Sequence, residues 1–534
     1  MERRNFLKKA AWGAVMPNLI NGHHVSAVGL SPWLESLTNT AVETDHVLVI
    51  IQMSGGNDGL NMVIPLDQYT NLAAARGNVL INDTQVLRLN GVTNTGLHPA
   101  MTGMRDLFNE GKLRIIQSVG YPTPNFSHFR ATDIWLSASN STEQLYSGWV
   151  GRYLNTEYAN YPAGYPNTVM PDPLAIQVST SLAALMQGPV VGMGVTIPND
   201  PSNPYLIDPT YPDPAPSGNA GKELAYIRTV ARQTRSYNDI VKSAYAAGGP
   251  PAANVPYPAA AARNGLAEQL KTVARLIKGG LKTRVYIVNT GGFDTHSGQV
   301  DTNDHAIGTH ANLLKTVSDA VFAFQRDTES RGISGRVLGM TFSEFGRRIK
   351  SNASLGTDHG AAAPLFVFGE RLFGGVLGSS PTINATTGVN DNIIMQYDFR
   401  SIYASILKDW FCVPDQTIDS AIMLRNFQRL RIVNSPNCIT PTHEINQKAG
   451  LTLVSAYPNP FDWATTIEFE SFGGFAMVQI FDVSGRVIAT PAKGEFAPGK
   501  YKVRFEAPNL AAGVYYVRYE NEDLQQVKPL VKVQ

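Results

Sequence analysis

The chain has 534 residues, which is too long for one ordinary hydrophobic core, so we expect two domains with peripheral segments. Its 44 basic and 43 acidic side chains give a formal net charge of +1 without a basic stripe, so nucleic acid is not an expected partner. Hydrophobic residues make up 43% of the chain and charged residues 16%, which is typical of a globular protein with a large core, and no apolar stretch is long enough for a transmembrane helix.

The first residues carry the pattern of an export signal. Arg3 and Arg4 precede Phe6-Leu7-Lys8, and a short, weakly apolar run extends from Ala10 to Ile20. Paired arginines before such a run resemble a twin-arginine signal, which we assign to residues 1–30. The alternative is an ordinary basic helix start, and no clear cleavage site is visible.

Residues 45–434 alternate short β-branched runs with helical patterns, which is typical of a mostly parallel sheet flanked by helices. His46–Met53 is nearly all apolar, as a strand buried on both faces should be. Further strands are predicted at Leu113–Val119, Arg284–Asn289, Val337–Phe342 and Leu365–Phe368. Apolar residues at three- and four-residue spacing predict helices at Pro99–Glu110, Glu268–Lys278, His310–Arg326 and Phe399–Phe411. The predicted fold class is therefore α/β.

Two stretches rich in Pro, Asn and Gly interrupt this pattern, Tyr158–Asp172 and Pro198–Ala220, and we interpret them as surface insertions or a cap. The following segment, Lys222–Ala247, has a helical pattern. The chain has only two cysteines, Cys412 and Cys438, without metal-binding spacing. Whether they form a disulfide is left open.

The composition changes after Asn434. Residues 435–450 are polar and suit a linker. Residues 451–534 show alternating strands with turns at short spacing, which predicts a small C-terminal antiparallel β-sandwich. Its predicted strands are Thr466–Phe469, Ala476–Phe481, Tyr501–Phe505 and Val514–Tyr519.

Three ordered blocks in this tail, Tyr457–Phe461, Ile480–Arg486 and Leu510–Val517, resemble the type IX secretion C-terminal sorting domain of Bacteroidetes. The resemblance implies passage across the outer membrane by the type IX secretion machinery, with release or attachment at the cell surface. The competing interpretation, a carbohydrate-binding β module, lacks the expected cluster of aromatic residues on one face.

Polar residues, several of them able to bind metal, follow the predicted strands of the large domain, where open α/β sheets place their sites. They are Asp58 after the first strand, Ser127 near a helix start, Asp294 and His296 on one loop, Glu344 with Arg347 and Arg348 on another, and Asp358 and His359 on a return loop. Each of these residues alone could be a helix cap or a solvated side chain. Their recurrence at successive strand ends predicts one polar site.

The same motifs carry a second resemblance, which covers most of residues 1–415. They are Ser54–Asn61, Gly96–Ala100, Ser127–Phe129 with Asp133–Trp135, Phe293–His296, Thr341–Arg348, Gly356–Gly360 and Asp398–Ser401. Together they resemble domain-of-unknown-function family 1501, which is similar to the alkaline phosphatase and sulfatase superfamily.

That resemblance implies an alkaline-phosphatase-like sheet, two metal ions and a Ser nucleophile. It assigns the nucleophile to Ser127 and an anion clamp to Arg347 or Arg348. The implied metal ligands are Asp58, Asp294, His296, Glu344, Asp358 and His359, while His98 and His128 are candidates without roles. Glu344 stands where the superfamily usually has an Asp-His pair, which puts the second metal in doubt.

The expected function is that of an exported, metal-dependent hydrolase acting on a small-molecule or polymer ester of phosphate, or less favourably of sulfate, because the formylglycine sulfatase motif is absent at Ser127. Zinc is the first candidate metal, with calcium or magnesium as alternatives. The alternative function is a secreted or surface-attached binding or envelope protein with a degenerate site.

Overall fold

The central strand of the large sheet, β1 (Val47–Met53), is buried on both faces. The side chains of Val47, Val49 and Ile51 enter one apolar cluster, and those of Leu48 and Ile50 enter another. Because successive side chains of a strand point to opposite faces, β1 separates two cores. The predicted strand buried on both faces is therefore confirmed.

The computed structural model of the chain describes residues 44–158, 160–179, 184–202, 218, 224, 237–259, 262–434, 454–471, 474–482, 486–497, 499–521 and 525–533. The signal region at 1–30 and the linker at 435–450 lie outside the described residues. The chain divides into two compact units, Met1–Ser435 and Pro436–Gln534.

In the first unit, the strands after β1 are β2 (Val63–Pro65), β3 (Leu87–Leu89), β4 (Val92–Leu97), β5 (Leu113–Gly120), β6 (Ala175–Val178), β7 (Val195–Ile197), β8 (Val285–Thr290), β9 (Val337–Phe342), β10 (Arg347–Ser351), β11 (Thr357–His359), β12 (Ala363–Gly369), β13 (Gly375–Leu377) and β14 (Tyr397–Asp398). The helices are α1 (Gly59–Met62), α2 (Tyr69–Arg76), α3 (Thr102–Asn109), α4 (His128–Ser137), α5 (Trp149–Glu157), α6 (237–248), α7 (Gly265–Lys278), α8 (Thr309–Ser330), α9 (Phe399–Asp409) and α10 (Asp415–Thr417).

In the described part of the chain, nine strands form one mixed sheet of order β13-β5-β12-β9-β1-β8-β6-β7, with β14 beside β5. All pairs in it are parallel except those of β12, which runs antiparallel to β5 and β9. Helices α3, α7 and α8 pack on one face and α4, α5 and α9 on the other. The predicted mostly parallel α/β sheet flanked by helices is confirmed.

The insertions are only partly described. Residues 160–172 form turns and irregular backbone, as expected of an insertion. Most of Pro198–Ala220 lies outside the described residues. Within the predicted helical segment Lys222–Ala247, the described helix begins at residue 237. Cys412 is disulfide-bonded, whereas Cys438 lies outside the described residues.

The second unit contains two antiparallel sheets, of order β15-β16-β19 and β18-β17-β20-β21. Their strands are β15 (Val454–Tyr457), β16 (Ala464–Ser471), β17 (Gly474–Phe481), β18 (Val487–Phe496), β19 (Gly499–Glu506), β20 (Gly513–Asn521) and β21 (Gln525–Lys532). In β16 every second residue is buried, as in a strand with one face on a core. The predicted antiparallel sandwich is confirmed. Of the helices described in either unit, none has the length and apolar character needed to cross a membrane.

Candidate metal centre

The sheet brings three loops together at one edge. Strands β1, β8 and β9 are adjacent and parallel, so the loops that follow them meet at their carboxyl ends. These loops carry Gly55, Asp294 and Glu344. The main-chain N–H of Gly55 donates a hydrogen bond of 2.9 Å to Oε1 of Glu344, which joins two of the loops directly.

Two further elements bring histidines to this edge. Strand β5 also runs parallel to β9, because β12 is antiparallel to both, and the chain after β5 leads into α4, whose first residue is His128. His359 ends β11, where it pairs with Arg347 of β10. The imidazole of His359 lies against that of His128, with ring centroids 4.5 Å apart.

His128, Asp294 and His359 form a group whose ligand atoms all lie within 4.8 Å of one another. Nε2 of His359 is 3.2 Å from Oδ1 of Asp294. Nε2 of His128 is 3.5 Å from Oδ2 of the same carboxylate. Two imidazole nitrogens and one carboxylate thus surround a common point.

The orientation of both imidazoles is fixed by contacts at their Nδ1 atoms. Nδ1 of His128 lies 2.8 Å from Oε1 of Glu344, and Nδ1 of His359 lies 2.8 Å from the main-chain oxygen of Phe126. Both partners are acceptors, so each Nδ1 carries the proton and donates it. The Nε2 lone pairs of His128 and His359 are therefore left facing Asp294.

This arrangement fits a divalent metal ion. Histidines that bind a metal through one ring nitrogen usually donate the other N–H to a carboxylate or a main-chain carbonyl. Both histidines here satisfy that condition. Two imidazoles and one carboxylate are also the protein ligands of many catalytic zinc and non-haem iron sites, which leave further positions open. The group could thus bind a metal, and its donor set does not identify which one.

The charge on Asp294 is stabilised without any ion. Although burial acts to raise the pKa of Asp294, the hydrogen bond and the positive charge of Arg347 lower it to about 2. Burial also lowers the pKa of His359, which keeps that imidazole neutral near pH 7. An ionised carboxylate and a neutral imidazole are the forms in which these side chains bind metals.

Arg347 holds the loops of the site in place. Its fully buried guanidinium donates to the carboxylate of Asp294 at 2.7 Å and to the main-chain oxygens of Gly55, Gly56, Phe293 and Thr357. All three guanidinium nitrogens of Arg347 thus donate hydrogen bonds to oxygens of the protein itself. The structure therefore does not present Arg347 to a substrate as the anion clamp that the sequence suggested. Arg348 points elsewhere, to the main-chain oxygen of Val389 and towards Asp358.

Two other predicted ligands lie next to the group. Nδ1 of His296 is 2.8 Å from Oδ1 of Asp294, and its ring lies 4.6 Å from that of His359. Glu344, whose side chain is 2% exposed, contacts the group through His128. The structure therefore places Glu344 behind His128 and His296 beside Asp294.

Asp58 and Asp358 are not brought into the group. Asp58 is buried and forms a two-pronged ion pair with Arg76, with N–O distances of 2.9 and 3.0 Å, and it also accepts a hydrogen bond from Gln299. Asp358 accepts a hydrogen bond from Asn352 on the return loop. Both oxygens of Asp58 are held by buried donors, whereas Arg347 contacts only Oδ1 of Asp294 and leaves Oδ2 facing His128.

Ser127 stands at the N-cap position of α4, and its side chain makes no capping hydrogen bond. It lies between Phe126 and His128, the two neighbours that contact the group, and it is exposed. Within the described residues its hydroxyl forms no hydrogen bond. The structure therefore does not show Ser127 capping the helix through its side chain.

His98 lies deeper in the protein, near His310. Burial lowers the pKa of His98 to about 3 and that of His310 to about 4, and the two rings lie 6.1 Å apart. Nε2 of His310 contacts Oδ1 of Asn57 at 2.9 Å, so His310 supports the loop after β1.

The group opens onto a cleft of about 420 Å³. It is lined by Ser54, Gly55, His128, Phe129, Thr132, Gly291, Gly292, Asp294 and Glu344. The volume lies within the range of about 300–1,000 Å³ that is usual for small-molecule sites.

Residues 239–410 match the family described as protein of unknown function (DUF1501), and residues 455–533 match the secretion system C-terminal sorting domain. The motifs before residue 239, including those around Asp58 and Ser127, lie outside the first match. No curated protein matches the chain.

Three solved structures illustrate the structural comparison. An alkaline phosphatase superfamily protein from Vibrio parahaemolyticus has 9% identity and a TM-score of 0.31, covering 92% of this chain and 83% of its own. The PsFucS1 sulfatase from Pseudoalteromonas sp. has 11% identity and a TM-score of 0.32, with coverage of 89% and 85%. Phosphonate monoester hydrolase SpPMH from Silicibacter pomeroyi has 10% identity and a TM-score of 0.31, with coverage of 92% and 89%.

Similarities this low carry no argument about activity. The family matches are informative, because each falls within one unit of the fold. The sorting domain indicates secretion to the cell surface or the exterior and implies handling by a type IX secretion system. The chain therefore combines a region similar to the DUF1501 family with a secretion system C-terminal sorting domain.

Proposed function

We propose that this protein is an exported, metal-dependent hydrolase of phosphate esters, with Ser127 as its nucleophile. The observation that carries the proposal is the paired orientation of His128 and His359, each holding its Nδ1 proton on an acceptor and directing Nε2 towards Asp294. A divalent cation held there would supply Lewis-acid stabilisation of negative charge on the reacting ester.

The residues of this chain have separate roles in the proposal. His128, Asp294 and His359 hold the ion, while Glu344 and the Phe126 carbonyl orient the imidazoles. Ser127 attacks phosphorus: an Oγ–P bond forms while the bond from phosphorus to the leaving oxygen breaks, and the hydroxyl proton passes to that oxygen through solvent. Water then cleaves the Oγ–P bond, which releases phosphate and returns a proton to Oγ. Main-chain N–H groups in the first turn of α4 favour negative charge beside Ser127.

A second candidate function is a surface binding protein with an incomplete site. It is favoured by the positions of Asp58 and Arg347, since the first is paired with Arg76 and the second contacts main-chain oxygens. Among the described residues, only one group of three potential ligands is assembled. A protein that binds metal and turns over no ester would meet this description.

The test combines metal analysis with hydrolysis of 4-nitrophenyl phosphate, bis(4-nitrophenyl) phosphate and 4-nitrophenyl sulfate. Asp294→Asn should lose both metal and turnover, whereas Ser127→Ala should keep the metal and lose turnover. Asp358→Asn is the matched control and should keep both. Unchanged turnover in Ser127→Ala would remove that residue from the mechanism. Bound metal without any turnover would favour the binding protein.

A further inference from the structure

The most exposed large apolar side chain in the described residues stands at the metal centre. Phe129 is 92% exposed and lines the cleft that contains His128 and Asp294. Single exposed apolar residues are common on protein surfaces and need no explanation by themselves. An aromatic ring at the mouth of a cleft that also holds convergent polar groups is different, because ligand sites combine these two features.

Helix α4 carries both Phe129 and His128, one of the three candidate metal ligands. Phe129 follows His128 directly, and Thr132 lies one turn further along, so all three reach the same cleft. The helix holds these residues in a fixed relation, because Ala131, Ile134 and Trp135 on its other face are buried. The backbone of Phe129 is thus held at a set position beside the candidate ligand His128.

Much of the remaining lining is backbone. Gly55, Gly291 and Gly292 contribute no side chain, and a Cβ atom added at Gly291 would meet nothing within 4 Å. Gly292 has a φ of +98°, a conformation that L-residues rarely adopt. The loop after β8 therefore leaves open space beside Asp294 that a flat group could enter.

We infer that Phe129 and this glycine-lined surface bind the face of a ring in the leaving group, so the substrate class is ring-bearing phosphate esters. The inference rests on the proposed function. The ring can be aromatic or carbohydrate, since both present an apolar face that stacks on phenylalanine. The phosphate end then lies towards His128 and Asp294.

The experiment measures binding to the metal-loaded full chain by calorimetry. The probes are phenylphosphonate, the non-hydrolysable phosphonate analogue of glucose 6-phosphate, and methylphosphonate, which has no ring. We expect at least one ring-bearing probe to bind about ten-fold more tightly than methylphosphonate. The better of the two identifies the ring as aromatic or carbohydrate. Equal affinity for all three probes overturns the inference.

Variants separate the ring contact from the metal site. Phe129→Ala should bind all three probes with similar affinity and keep its metal, whereas Tyr146→Ala, the matched control at a side chain that is 83% exposed, should retain the ring preference. Gly291→Phe should fold, because its Cβ has open space, and should exclude the ring-bearing probes while still binding methylphosphonate. A ring preference that survives in Phe129→Ala contradicts the inference.

Failure of the proposed function gives a different result. If no phosphonate binds, the metal-dependent function fails, and the ring contact is then tested with uncharged benzyl alcohol and methyl β-glucoside by saturation-transfer NMR. Saturation transfer to either probe that is present in the wild-type protein and lost in Phe129→Ala supports the ring contact without the metal. The ring contact is overturned if the wild-type protein gives no saturation transfer, or if Phe129→Ala gives as much as the wild type.

Discussion

The substitution Asp58→Asn distinguishes a metal ligand from a structural ion pair. The carboxylate of Asp58 is 1% exposed and its partner Arg76 is 0% exposed, with two hydrogen bonds between them. Gln299 donates to the same carboxylate at 2.6 Å and accepts from Thr295 and Thr357. Asp58 thus links α2 to two loops of the site, and its substitution leaves a buried guanidinium without a counter-charge.

The expected cost follows from this burial. Removing one partner of a buried pair destabilises a protein by about 3–5 kcal/mol. A domain of about 390 residues has an unfolding entropy of about 0.8 kcal/mol/K, so the melting temperature should fall by roughly 4–6 °C. Burial acts to raise the pKa of Asp58, but Arg76 and His310 lower it overall, so the native protein holds this group ionised at neutral pH.

The assay is thermal unfolding of the metal-free protein, with metal content measured in parallel on protein purified without chelator. Asp358→Asn, a partly exposed aspartate from the same predicted ligand set, should shift the melting temperature by less than about 1 °C. Adding Arg76→Met to Asp58→Asn should recover much of the loss, because the uncompensated charge is gone. An unchanged melting temperature with loss of bound metal would refute the structural role of Asp58.

Three further predictions concern the support of the site. Glu344→Ala should weaken metal binding about 10- to 100-fold in a calorimetric titration, because His128 loses the acceptor that fixes its Nδ1 proton; an unaltered affinity would show that the tautomer is set in another way. Arg347→Met should lower the melting temperature and abolish metal binding together, since four main-chain oxygens and Asp294 lose their donor; folded variant protein with normal metal affinity contradicts this. Burial lowers the pKa of His98 to about 3 and that of His310 to about 4, so these histidines bind protons in the unfolded chain before they do so in the folded protein as the pH falls. Their contribution to the free energy of unfolding is therefore complete above about pH 6.5. It decreases towards pH 4 by up to about 1.4 kcal/mol per pH unit for each histidine. Urea unfolding of metal-free protein between pH 7.5 and 5 measures that slope, which should become smaller in His310→Gln.

The sequence by itself determined the architecture of both units. The apolar run Val47–Met53 is typical of a strand covered on both faces, and the alternation in Ala464–Ser471 is typical of a strand with one face on a core. These patterns are local, because they arise from the side-chain periodicity of each element. The sequence also placed Asp294 and Glu344 at strand ends, where a parallel sheet gathers its loops.

The tertiary structure alone decided which polar residues share a site. Asp58 and Asp294 both follow strands, yet Arg76 and Gln299 occupy both oxygens of the first, whereas Arg347 contacts only Oδ1 of the second and its carboxylate faces two imidazoles. His128 has no sequence signal beyond its place at a helix start, and its role depends on a proton held by Glu344, a residue 216 positions away. The physical reason is that burial, charge pairing and tautomer depend on groups distant in the chain, which periodicity and spacing do not encode.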